Sequence, residues 1–403
     1  MADRVVLAYS GGLDTSVGIG WLRDVTGKDV VALAVDVGQG GADMESVRQR
    51  ALDCGAVESM VVDAKDELAD EYLMPALKAN ASTREGCPLV SALSRPLIAR
   101  HVARTAQQLG ADTVAHGCSG TGNDHVRFEA AVAAVAPDLA SVSTVRDLSL
   151  TREAAVAYAR EHRLPVAGLD RSEGVDGYWS SDQNVWGRSV ETTLLEDPWV
   201  APDEDLYTIT QDPATGHPAD EVTVTFEQGV PVALDGQRFS PLRLVQEVSA
   251  LGGSHGVGRV DVVEDRLVGS KRRVVHEAPA AIALVAAHEA LESLTLERDV
   301  IRYKRGVDGD WADLVSDGRW FSGLKRGLDA FIESTQQYVS GEVRMRFHAG
   351  QVTIIGRRSD QSLYDFDLAT HDTDGSLDHS SSRGFADIWS LPGRIAARRD
   401  RAN

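Results

Sequence analysis

The sequence predicts an α/β protein: a parallel-sheet domain over residues 1–168, an α+β domain over 169–385 and a C-terminal helix over 386–403. Three observations predict it. Short β-branched runs alternate with longer amphipathic runs through the first half, the rhythm of a parallel sheet covered by helices. Composition shifts at Leu169 to Gly177, an acidic, glycine-containing loop that reads as a boundary. Beyond it, strand patterns joined by tight turns are mixed with helical ones, without the earlier regularity.

Taken in order, Arg4 to Tyr9, Asp29 to Val35 and Ser59 to Val62 read as strands, with Ser16 to Asp24 and Met44 to Cys54 as the helices between them. Val90 to Leu109 is a long helix leading to a strand at Thr113 to His116 and a helix over Asn123 to Ala134. Thr151 caps a helix that runs to His162, before Pro165 ends it. In the second part Glu221 to Phe226 and Val230 to Leu234 are strands, and Asp235-Gly236 is a hairpin turn. Helices occupy Pro279 to Leu291 and Lys325 to Tyr338. Val343, Met345 and Phe347 alternate into a His348-Ala349-Gly350 turn before the strand Val352 to Ile355. Pro392 to Asn403, with Arg394, Arg398, Arg399 and Arg401, is a terminal helix, either a solvated tail or a docking element for a neighbouring subunit.

The 403 residues, 43% hydrophobic, are enough for more than one domain. A formal net charge of -20 repels polyphosphate backbones, which argues against a nucleic-acid partner but not against a nucleotide held in a local pocket of N–H groups. No apolar run approaches the ~20 residues that cross a bilayer, and Met1-Ala2-Asp3-Arg4 has no signal-peptide layout, so the expectation is a cytoplasmic protein with no membrane partner. Cys54, Cys87 and Cys118 form no CxxC pair, which predicts free thiols and no metal–thiolate site.

The chemistry concentrates in two loops. The first strand runs into Ser10-Gly11-Gly12-Leu13-Asp14-Thr15-Ser16 and then an apolar helix. Adjacent glycines let the backbone approach a ligand, and the helix start offers unpaired N–H groups and a positive dipole end. With the hydroxyls of Ser10, Thr15 and Ser16, the loop suits a pyrophosphate. It is neither a Walker A loop nor GxGxxG. The string resembles the PP-loop of the N-type ATP pyrophosphatases, which implies adenylation of an oxygen, ATP as substrate and Mg2+ with it. Asp14 then serves either loop geometry or magnesium. The second loop, His116 to Glu129, follows another strand and opens another helix. Asn123, Asp124 and Arg127 supply an amide, a carboxylate and a guanidinium within one helical turn, either to grip an amino acid or as a capped helix with a salt bridge.

Together with Ser94 to Arg100, His255-Gly256-Val257-Gly258-Arg259 and Val263-Glu264-Asp265-Arg266, these loops resemble the argininosuccinate synthase family, in order and spacing, over almost the whole chain. The resemblance implies a homotetrameric ligase that condenses aspartate with citrulline through a citrullyl-adenylate, releasing AMP and pyrophosphate. It assigns ATP contacts to Ala8, Tyr9, Ser10, Gly11, Gly12, Leu13, Asp14, Thr15, Ser16, Ala34 and Gly117. Ser119, Asn123 and Asp124 fall where the family holds aspartate, Ser119 standing for a usual Thr. The citrulline set maps onto Cys87, Asn123, Arg127, Ser180, Ser189, Glu264 and His276. Ser10, Asp14, Ser16, Asp124 and Arg127 are the expected catalytic group.

The match departs from the family at the acceptor. Cys87 and His276 stand where Tyr is usual, Thr121 replaces a common Lys and His125 a common Gln, and Leu169 to Trp179 is longer and more acidic. Losing a phenol that bonds the substrate costs roughly 1–3 kcal/mol. Either water and neighbouring side chains compensate, or the acceptor is a different ureido or carbamoyl compound. His125 and His276 are candidate general bases as well as ordinary packed histidines. Readings of another class are an ATP-binding protein without ligase activity and a PP-loop enzyme acting on tRNA, which the charge disfavours.

Overall fold

A computed structural model describes residues 3–41, 43–120, 122–166, 179–369 and 380–402. β1 (Arg4–Ala8), β2 (Asp29–Asp36), β3 (Glu58–Asp63), β4 (Thr113–His116) and β5 (Ala140–Ser143) form one parallel sheet in the order β3-β2-β1-β4-β5. Val5, Val6 and Leu7 of β1 and Val30 to Val35 of β2 are buried, as a sheet covered on both faces requires. The covering helices are α1 (Leu13–Thr26), α2 (Met44–Asp53), α3 (Lys65–Leu68), α4 (Met74–Lys78), α5 (Val90–Leu109), α6 (Asp124–Val135) and α7 (Arg152–Glu161). Asp43 and Thr151 cap α2 and α7 through the N–H groups of Ser46 and Ala154, so the expected cap at Thr151 is made. A π-helical turn over Ala69–Leu73 joins α3 to α4.

Strand order decides where a ligand fits. The chain leaves β1 towards β2 and β3, then returns to place β4 on the other side of β1, with Val5 opposite Thr113 and Leu7 opposite Ala115. The loops after β1 and β4 therefore diverge from adjacent strand ends and open a crevice between them, the topological switch point where open α/β sheets bind ligands.

Residues 179–361 add two antiparallel sheets. β6 (Trp179–Asn184), β7 (Gly187–Thr192), β8 (Asp220–Glu227), β9 (Val230–Leu234), β10 (Gln237–Arg238), β11 (Arg259–Asp265), β12 (Lys271–Glu277), β13 (Gly341–His348) and β14 (Gln351–Arg358) pair as β11-β12-β7-β6 and β10-β9-β8-β13-β14. The first of these, and helices α8 (Pro241–Ser254) and α10 (Arg298–Ser316), go beyond the elements legible in the sequence. The predicted helices appear as α9 (Pro279–Thr295) and α11 (Gly323–Thr335). Val343, Met345 and Phe347 point inward and are fully buried, as their alternation predicted. One apolar cluster runs from Val6 and Val31 of the parallel sheet through Leu93 and Leu97 of α5 to Trp186, Leu284 and Val343. Residues 1–361 accordingly form one compact unit and 362–403 a second. The predicted boundary at 168/169 and the acidic segment lie outside the described residues. The second unit carries α12 (Phe366–Ala369), α13 (Ser381–Trp389) and α14 (Leu391–Ala402), so the expected terminal helix is preceded by another.

Candidate active site

The loop after β1 is shaped by its glycines and tied by its hydroxyls. Gly11 sits at φ +79°, where a Cβ would also come within 3.3 Å of Val47 and Arg50, and the Arg50 guanidinium donates to its carbonyl at 2.8 Å. Gly12 is extended and starts α1. Ser10 Oγ lies 3.0 Å from Thr15 Oγ1, which draws the two hydroxyls together across the turn. Ala8, Tyr9, Ser10, Gly12, Leu13, Asp14 and Thr15 line the crevice. Gly11, Ser16 and Ala34 do not. Ser16 is fully buried with its hydroxyl 2.9 Å from Tyr9 Oη, so it ties helix to strand and does not present a donor to the crevice. Burial pushes the Asp14 carboxyl above the usual carboxylate range against the pull of Arg152, which marks an anion short of positive neighbours.

The loop after β4 contributes Gly117, Ser119 and Asn123 to the same crevice, and α6 contributes Asp124 and Arg127. His116 Nδ1 accepts from the Cys118 N–H at 3.2 Å, so its proton is on Nε2 and donates to Glu129 at 3.1 Å. Asp124 sits between two guanidiniums: Arg95 of α5 donates at 2.8 and 3.0 Å, and Arg127 at 2.9 Å. Burial alone would raise its pKa, but Arg95 and Arg127 outweigh that and hold it down to about 2. Arg127 is clamped further by the Ser316 carbonyl at 2.7 Å. Asn123 Oδ1 accepts from the Leu267 N–H at 3.0 Å, anchoring the loop to the turn after β11.

The four-stranded sheet lines the rest of the crevice, and strand alternation selects which residues face it. Asp182 of β6, Ser189 of β7 and His276 of β12 lie in one row across three strands, with Ser180 and Glu191 paired on the same face. Glu264 of β11 pairs with Arg272, four residues along β12 from His276, and so shares that face. All of these but Arg272 line the cavity, together with Cys87 from the turn before α5. On the opposite face Glu277 accepts from Arg188 and from the N–H groups of Thr208, Ile209 and Thr210, a separate structural knot. His276 Nε2 stands 3.1 Å from Glu264 Oε1 and 3.7 Å from Cys87 Sγ. His125 does not line the cavity.

These three walls enclose about 550 Å³, a volume typical of small-molecule sites. Both halves of the chain match one family. The profile described as the Arginosuccinate synthase N-terminal HUP domain covers residues 4–165, and that described as the Arginosuccinate synthase C-terminal domain covers 179–396.

The chain belongs to the argininosuccinate synthase family.

That family consists of ATP-using ligases that form carbon–nitrogen bonds. The structure brings together most residues that the family resemblance named, while Thr121 lies outside the described residues. It also adds some that sequence reasoning missed. Arg95 and Asp182 face each other at 3.0 Å, and Asp182 Oδ2 is buried without a well-aligned hydrogen bond. The ion pair is therefore close in distance but poorly directed. Burial and the neighbouring Asp124 push Asp182 above the usual carboxylate range. Glu191 is paired with Arg266, the last residue of the Val263 to Arg266 motif. Arg95 stood within the Ser94 to Arg100 stretch of the family resemblance, which gave it no role. His255-Gly256-Val257-Gly258-Arg259, by contrast, is architectural. His255 pairs with Asp220 at 2.8 Å, and Arg259 packs on the Tyr207 ring 3.8 Å from its centroid.

Among the described residues, no helix is long and apolar enough to cross a membrane.

Proposed function

We propose that this chain condenses aspartate with citrulline through a citrullyl-adenylate, giving argininosuccinate, AMP and pyrophosphate. The single observation that carries the reading is one cavity shared by the loop after β1, the start of α6 and the polar face of the four-stranded sheet. The ureido oxygen attacks the α-phosphorus of ATP and the bond to pyrophosphate breaks. The α-amine of aspartate then attacks the ureido carbon, and AMP departs with the former ureido oxygen.

The residues divide this work by position. The N–H groups at Gly12 and the start of α1, with the Ser10 and Thr15 hydroxyls, meet the departing pyrophosphate. Mg2+ fits beside them, because Asp14 is a carboxylate facing the cavity that is short of cationic neighbours; it would supply charge neutralisation to the phosphates. Ser119, Asn123 and Asp124 receive aspartate at the second loop. Asp124 is already committed to Arg95 and Arg127, so its strongest effect is to hold both guanidiniums towards the substrate carboxylates. Asp182, with a raised pKa and an Oδ2 whose contact with Arg95 is poorly directed, accepts the proton that the amine loses. Ser180, Ser189 and Glu264 orient the acceptor.

A second reading rests on Cys87 and His276, which replace phenols usual in the family; His276 bonds Glu264, and Cys87 lies against His276. On that reading the acceptor is a different ureido or carbamoyl compound. The deciding assay is pyrophosphate release from ATP, Mg2+ and aspartate, with and without citrulline, with the product identified by mass. Argininosuccinate formed only with citrulline supports the first reading. Release with another ureido compound but not citrulline selects the second, and ATP binding without release in any combination defeats both.

A further inference from the structure

In the cavity, Glu264, proposed above to orient the acceptor, is flanked by Cys87 and His276, for which adenylation and amine attack have no evident use. Cys87 precedes α5, Glu264 lies on β11 and His276 on β12, and their sulfur, oxygen and nitrogen donors all lie within 4.8 Å of one another. We propose that Cys87, Glu264 and His276 form a three-ligand site for a divalent cation of the zinc class, with its fourth coordination position open to the cavity.

The geometry matches that use. Tetrahedral zinc, with bonds of about 2.0 Å to nitrogen or oxygen and about 2.3 Å to sulfur, sets neighbouring ligand atoms about 3.4–3.6 Å apart. The imidazole Nε2 is 3.7 Å from the Cys87 sulfur and 3.1 Å from the Glu264 oxygen, each within a few tenths of an ångström of that spacing, and the sulfur and the oxygen lie within 4.8 Å of each other. The donor set is selective. A thiolate and an imidazole favour zinc over magnesium or calcium, which take oxygen ligands.

The charge also closes. Cys87 and His276 are buried, and the Glu264 side chain is 20% exposed, so two anions in this place are costly without a cation. On binding, the thiol proton passes to solvent, and the thiolate and carboxylate together neutralise the divalent ion. In the absence of the ion, burial first and then Glu264 push the Cys87 thiol up, so binding must displace its proton. Three walls of the site are protein, and all three ligands line the cavity, so the remaining position faces the acceptor and takes water or a nitrogen or oxygen donor of the acceptor. Cysteine spacing could not show this, because the ligands come from segments far apart in sequence. Only the identity of that fourth ligand rests on the ligase reading.

The test is cobalt titration of chelator-treated full-length protein without ATP or amino acids, followed by near-ultraviolet absorption and by metal analysis of the zinc-loaded form. A cobalt–thiolate band saturating at about one equivalent is expected, with its loss in Cys87→Ser, at least about tenfold weaker binding in His276→Ala, and retention in Cys54→Ala. The double variant Cys87→Tyr/His276→Tyr should also lose the band, and circular dichroism of each variant separates this from unfolding. A folded wild-type protein with no band, or a band that survives Cys87→Ser, overturns the site. Because cobalt is read without turnover, failure here leaves the pyrophosphate assay untouched, and the reverse holds as well.

Discussion

At the scale of single residues, charge compensation decides what each carboxylate can do. Asp124 has two arginines and is held low, Asp182 pairs with one of them and is pushed above its usual range by burial, and Asp14 is pushed up by burial against Arg152. Two duties for Asp14 were open in the sequence, and Asp14→Asn separates them. If it holds magnesium, the Mg2+ concentration for half-maximal pyrophosphate release rises at least about tenfold with little change in melting temperature; a fall in melting temperature alone assigns it to loop geometry. The same logic operates far from the site. Lys304 is buried between Glu292 at 3.0 Å and Asp308 at 2.9 Å, and one ammonium cannot neutralise both. Glu292 is held down, whereas burial pushes Asp308 up to about 7 despite Lys304. An unfolded Asp titrates near about 4, so between about pH 4 and 7 the folded chain holds a proton that the unfolded chain releases, and stability contributed here falls as pH rises. Urea denaturation should show wild type losing on the order of 2–4 kcal/mol relative to Asp308→Asn across that window, and a difference that does not vary with pH would refute the assignment.

At the scale of elements, legibility followed what each element faces. The strands Arg4–Ala8 and Asp29–Asp36 were readable because both faces meet apolar core, and β13 because its inner face does. β6, β7 and part of β12 present Ser180, Asp182, Ser189, Glu191 and His276 to a polar cavity, so the hydrophobic alternation that announces a strand is missing where function needs it. The glycines show the same division between local and tertiary causes. Gly236 at φ +78° makes the predicted hairpin turn with open space around its Cβ position, a purely local requirement. Gly258 at φ +95° would in addition place a Cβ 2.5 Å from the Pro279 nitrogen, which no sequence window reveals. Gly236→Ala should therefore cost about 1–2 kcal/mol, and Gly258→Ala clearly more, compared by chemical denaturation. Equal costs would mean that the strand before α9 yields to the added methyl.

At the scale of the whole molecule, the second compact unit carries a row of exposed apolar side chains. Phe385, Ile388, Trp389, Leu391 and Ile395 of α13 and α14 are exposed, and Phe385 stacks on Trp389 at 5.5 Å between centroids. A contiguous apolar row of this kind marks an interaction surface. We propose that copies of the chain bury it in a homotetramer, the use foreseen for the terminal helix. Light scattering coupled to size exclusion should report a tetramer for the wild type and a smaller particle for Trp389→Glu with Ile388→Asp; an unchanged mass would remove these helices from the interface. The sequence by itself determined the α/β class, the family and the glycine turn between β1 and α1, because β-branched runs, glycine pairs and helix starts act over a few neighbouring residues. Only the tertiary structure decided that Ser16 turns inward to Tyr9, that Arg95 and Asp182 join the site, and that Cys87, Glu264 and His276 converge. These depend on strand order and cross-strand register, which bring together residues as far apart as Cys87 and His276, and distances of that kind are not encoded in any local pattern.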